Sequence, residues 1–171
     1  MPVIRDLIYP QNNTVEYPQT KYHHFMLDSG FFEFILVDML YTPLLNTVLM
    51  LFDLRTSMMI EDHDNTGVLV CEGVSKFNCT RPVDSVIFEI GKANVLVENH
   101  SNSISATFAD FYSERLTITA TKMLYYQGAV SDIGDCSDTI TIENLTPYIK
   151  TTPSLASILQ ISSMLQLSVK N

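Results

Sequence analysis

The chain has 171 residues, the size of one ordinary domain, since domains most often run to ~100–150 residues. Apolar residues make up 46% and charged residues 17%, a balance with ample core material that excludes an intrinsically disordered chain. Ten Lys and Arg against nineteen Asp and Glu leave a net charge of −9 and a pI near 4.7, the wrong sign for coating nucleic-acid phosphates.

Residues 1–30 are rich in Pro, Asn, Gln and Tyr and show no sustained apolar period. They read as an irregular N-terminal arm ahead of a single strand-rich globular domain over 31–171. Pro2, Pro10 and Pro18 fall where a signal peptide needs an unbroken apolar stretch, and Arg5 is the one cation of residues 1–20. The expectation is a protein not secreted by a signal peptide, intracellular or virion-associated. The glycosylation sequons at Asn12, Asn78, Asn99 and Asn144 then read as chance matches.

The run FFEFILVDML over 31–40 is aromatic, β-branched and nearly uncharged, and predicts a central strand. Thr42 as N-cap and Pro43 as first helical residue predict a helix over 42–53, with Leu44, Leu45, Val48, Leu49, Leu51 and Phe52 at helical spacing. Leu45, Val48, Leu49 and Phe52 would be its buried face. The whole window 34–52 is apolar enough to suggest a membrane span, but Asp38, Pro43 and Asn46 interrupt it, so strand followed by helix is the better account.

Short strands at 57–61 and 68–72 would form a hairpin across Asp64-Asn65-Thr66-Gly67, and strands follow at 85–90 and 93–98. The second half repeats this order more weakly. Residues 103–113 fit a helix with Ile104, Phe108, Phe111 and Tyr112 inward, while Ile104, Ala106 and Phe108 also alternate as a strand would. Strands are predicted at 115–121, 123–130 and 139–143. Thr152-Pro153 repeats the cap signature, after which Leu155, Ile158 and Leu159 fit a helix and Leu165, Leu167 and Val169 a strand. The sum is a mostly β or α+β domain, antiparallel sheets with two or three helices.

Local signatures of chemistry are thin. Glu61-Asp62-His63-Asp64 is the densest polar cluster, and Asp62-x-Asp64-x-Thr66-Gly67 imitates the first half of a calcium loop. The bidentate carboxylate required at loop position twelve is replaced by Gly73, so a solvated turn is expected and no metal. His23, His24, His63 and His100 show no HxH or HExxH spacing, and adjacent histidines in a strand point to opposite faces. Cys71, Cys79 and Cys136 form no CxxC pair, which fits neither a disulfide framework nor a zinc site and points to reduced thiols. The loop carrying Asp132, Asp135, Cys136 and Asp138 would raise its own thiol's pKa and blunt it as a nucleophile. No G-x-S-x-G, P-loop or GxGxxG signature is present. No catalytic residue and no cofactor are therefore assigned.

The order of strand FFEFILVDML, helix TPLLNTVLMLFD and strands SMMIE and GVLVCE, then a second unit through ANVLVE, SISATFADFYSE and RLTITA, is similar to the doubled β-α-β-β-β unit of DNA sliding clamps. That resemblance implies a polymerase processivity factor whose helices line a DNA channel with basic residues. Residues 42–53 and 101–113 contain no Lys or Arg, so the charge is missing where it would be needed. The leading expectation is instead a non-enzymatic structural or assembly subunit of a larger complex, such as a viral shell or decorating component. It would have protein partners in a homo- or hetero-oligomer, with no specific nucleic acid and no membrane span. Eight Met, nine Phe and eight Tyr supply adaptable contact material. On the arm, Tyr9, Tyr17, Tyr22 and Phe25 are the candidate assembly contacts, because rings bury large areas at small entropic cost. With three prolines the arm is not self-supporting, so deletion of residues 2–20 is expected to leave the melting temperature unchanged and abolish assembly.

Overall fold

The apolar runs over 48–52 and 68–71 lie in strands covered on both faces. A computed structural model describes residues 1–9, 34–55, 64–80, 88–90, 92–98, 102–109, 114–131, 133 and 151–168. In it β2 (Thr47–Asp53) is buried at every position and β3 (Thr66–Glu72) at all but the last. These two form the middle of a six-stranded antiparallel sheet. Its order is β10 (Leu159–Ser168), β9 (Lys122–Val130), β3, β2, β1 (Phe34–Thr42) and β5 (Phe88–Ile90). A second antiparallel sheet of four strands runs β4 (Lys76–Cys79), β8 (Glu114–Ala120), β7 (Ser103–Ala109), β6 (Lys92–Glu98).

The two sheets pack face to face over the larger core. Ile104, Ala106 and Phe108 of β7 and Leu116, Ile118 and Ala120 of β8 meet Val48, Met50 and Phe52 of β2, Leu69 and Cys71 of β3, and Met123 and Tyr125 of β9. Phe52 spans the layers: its ring lies edge-on to Phe34 at 5.1 Å and 5.8 Å from Phe108, separations at which aromatic quadrupoles attract. On the opposite face of the larger sheet, Leu49, Leu51, Val68, Val70, Leu124 and Tyr126 form a second core under Ile4, Leu7 and Ile8. Those three belong to a 3₁₀ turn, Ile4–Ile8. The turn is held in place by Ile4 N–H donating to Ser157 O, Arg5 N–H to Leu155 O, and Leu159 N–H to Pro2 O.

The predominantly antiparallel β character read from the sequence is present, and among the described residues the expected helices are not. Among the described residues the only helical pieces are that turn and a second 3₁₀ turn, Pro43–Leu45. Thr42-Pro43 does start a helical turn, with proline at its first positions. Asn46 then enters the left-handed region at φ 49°, ψ 46°, its N–H donating to Pro43 O, and the chain reverses into β2 with Thr42 opposite Thr47. The expected helix over 42–53 is thus a β-hairpin. Its apolar spacing misled because a strand buried on two faces needs apolar residues at consecutive positions, and such a run contains i, i+3, i+4 by default. Val48, Leu49 and Phe52 are buried as expected, though from both sides of a strand, whereas Leu45 is exposed.

The stretch 103–109 is a strand, the alternation of Ile104, Ala106 and Phe108 prevailing. After Pro153 the chain makes turns and then β10, so that helix is absent too. Without helices at 42–53 and 103–109, the β-α-β-β-β order that resembled a sliding clamp is not the order of this fold. The hairpin expected across Asp64–Gly67 is also corrected: Thr66 and Gly67 lie inside β3, whose edges pair with β2 and β9. A Cβ on Gly67 would stand 2.7 Å from the Tyr125 hydroxyl, so this glycine makes room for a ring on the neighbouring strand. The strands expected at 57–61 and 139–143 lie outside the described residues. No helix among the described residues is long and apolar enough to cross a membrane.

Candidate functional site

Of the four arm residues singled out as assembly contacts, Tyr9 is described and 56% exposed. Tyr17, Tyr22 and Phe25 lie outside the described residues. The start of the arm is not free-standing: Ile4, Leu7 and Ile8 are core residues of this chain's own sheet and Val3 bridges to Ile158. Residues 1–9 therefore belong to the domain, and the arm expected over 1–30 is corrected at its beginning. A 3₁₀ turn eclipses Ile4 with Leu7, a signal the proline count obscured.

The sequence reading passed over the end of the β1–β2 hairpin, where Leu44 is 98% exposed. Tyr41 and Leu45 beside it are exposed as well. Several bonds hold this apolar tip in one shape. Asn46 N–H donates to Pro43 O at 3.1 Å, the Thr47 hydroxyl to Leu45 O at 3.0 Å, and Val74 N–H to Asn46 O at 3.0 Å. Proline fixes φ at the start and asparagine tolerates the left-handed region at the end, so Leu44 is presented on a stiff loop. Val74 leads into β4, which is exposed throughout and carries Phe77 at 41% exposure. The tip escaped notice because one more leucine in an apolar run looks like core.

The described part of the acidic cluster, Asp64, ties neighbouring strands together. Asp64 Oδ2 accepts from Gln127 Nε2 at 3.0 Å and from the Ser162 hydroxyl at 2.7 Å. Ser162 sits at a register shift in β10, between Ile161 and Ser163, which turns its hydroxyl toward Asp64 and the Gln127 carbonyl. Beside it Asn65 accepts from Val130 N–H at 2.9 Å and donates to Val130 O at 3.1 Å. Together these bonds clasp the entry of β3 to β9 and β10. Burial, and after it the Asp64 carboxylate, push the Tyr125 phenol far above its ordinary value and keep it neutral. No group of three or more His, Cys, Asp or Glu that could hold a metal ion occurs among the described residues. Glu61, Asp62, His23, His24, His63, His100 and Cys136 lie outside them.

The remaining charged contacts brace the fold. Asp53, with no exposed side-chain surface, accepts from Arg55 Nη2 at 2.6 Å and from Arg55 Nε at 2.9 Å. Lys122 and Glu72 pair at 3.1 Å in a half-exposed setting. Cys71 is buried in the larger core and its thiol is pushed far up by burial, while Cys79 is exposed on β4. No known family model, curated protein or solved structure matches this chain.

Proposed function

We propose that this protein is a non-enzymatic structural subunit that works by contacting other protein subunits, as a shell or decorating component of a virus would. The observation that carries this reading is the rigid apolar tip around Leu44. A leucine fully exposed on a mobile loop has little consequence, but one held by proline, a left-handed asparagine and three hydrogen bonds is pre-organised to enter a partner's pocket at small entropic cost. The low charged fraction of 17% supports the same reading, since interface centres are depleted of charge.

Size-exclusion chromatography with light scattering tests it. An assembly mass above 19.3 kDa, reduced by Leu44→Asp, is the expected result. A monomer at every concentration, with no partner retained through Leu44, overturns it.

A further inference from the structure

The six-stranded sheet ends on one side in β10, and the features along that edge differ sharply. At its start, Leu159 N–H is taken by Pro2 O and Val3 bridges Ile158, so this chain closes its own edge there. The register shift at Ser162 follows, and bulges of this kind discourage edge pairing. From Ser163 to Ser168 the strand runs in regular register against Gln127–Lys122 of β9. Among the described residues nothing pairs with its outer edge. Natural edge strands are normally guarded by charge or proline, yet β10 contains neither, and residues 151–168 carry no Asp, Glu, Lys or Arg.

We propose that the Ser163–Ser168 edge pairs antiparallel with the same edge of a second copy, joining two six-stranded sheets into one continuous sheet. This rests on the assembly reading above and names its surface and partner. Charge decides the occupant. Two copies of a molecule with net charge −9 repel each other over charged approaches, and this edge, in a segment 151–168 without Asp, Glu, Lys or Arg, is an approach at which they do not. An identical strand also matches it in length and offers the complementary N–H and C=O groups. A two-fold axis through such a pair stands normal to the sheet, so facing residues share a face and only alternate registers are allowed. With Gln166 opposite its own copy, Leu165 faces Leu167 and Met164 faces Ser168. Leu165 is buried in the inter-sheet core and Leu167 packs against it half-buried, so this register extends that core across the junction.

The test is disulfide trapping in the full chain with Cys79→Ser and Cys136→Ser. Facing Cα atoms in an antiparallel pair lie about 4.5–5.5 Å apart, within disulfide reach. Gln166→Cys is therefore expected to cross-link into dimers on mild oxidation, whereas Gln160→Cys, before the register shift, is not. Gln166→Lys places like charges opposite each other and is expected to weaken dimerisation by about ten-fold with an unchanged far-ultraviolet spectrum. Assembly that persists without the Gln166→Cys cross-link and is indifferent to Gln166→Lys overturns the strand pairing while leaving the assembly reading intact. A chain that is monomeric throughout overturns both.

Discussion

Asp53 and Arg55 carry the heaviest electrostatic load of any described pair, because neither has solvent to fall back on. Asp53 is fully buried and Arg55 nearly so. Removing the guanidinium leaves a buried carboxylate without its main partner, which typically costs about 3–5 kcal/mol. Urea unfolding of Arg55→Ala is expected to show a loss in that range. Lys122→Ala, which breaks a half-exposed pair, is expected to lose no more than about 1 kcal/mol. Cys71 and Tyr125 make stability depend on alkaline pH. Burial raises both acids above their ordinary values of 9.0 and 10.0, so the unfolded chain releases protons that the folded chain still holds. Their contribution is complete below about pH 9 and falls as pH rises above it, by up to about 1.4 kcal/mol per pH unit for each group. Unfolding midpoints at pH 7, 9 and 10.5 measure this, and Tyr125→Phe should flatten the upper part of the profile. Gly67→Ala belongs to the same scale. The new methyl meets the Tyr125 hydroxyl, an overpacking expected to cost about 1–3 kcal/mol, and Tyr125→Phe should recover part of it in a double-mutant cycle.

Among the strands, legibility followed the number of buried faces. β7 and β8 cover one core, so Ile104, Ala106 and Phe108, and Leu116, Ile118 and Ala120, alternate with half-exposed residues, and a period of two is visible. β2 and β3 are buried on both faces and carry polar residues only at their ends, Thr47, Asp53, Thr66 and Glu72, so no polar position inside them marks a period. A cap-like Thr42-Pro43 then tipped the reading toward a helix that Asn46 ends after one turn. Tyr9 is exposed, and the exposed tip at Leu44 was invisible because exposure is set by the turn and not by residue type. Leu49→Ala is expected to cost about 2–5 kcal/mol, for it is fully buried between the sheet and the N-terminal turn. Asn46→Val puts a β-branched residue at positive φ and should destabilise the hairpin by about 1–3 kcal/mol. Thermal unfolding of both variants checks these values.

For the molecule as a whole, the N-terminal segment covers one face of the larger sheet and meets the segment leading into β10. Deleting residues 2–9 uncovers Leu49, Leu51, Val68 and Val70 and is expected to lower the melting temperature, contrary to what a free arm would do. The contact between Val3 and Ile158 also orders events in time. It joins residues far apart in the sequence, and contacts of such long sequence separation form late because closing the intervening loop costs entropy first. The Ile4–Ile8 turn therefore waits for the much later segment leading into β10 before it can dock. Until then the apolar underside of β2, β3 and β9 has no cover, and a nascent chain in that state is open to aggregation. Leu7→Ala should accordingly speed unfolding while leaving the folding rate almost unchanged, the kinetic mark of a residue that arrives after the transition state.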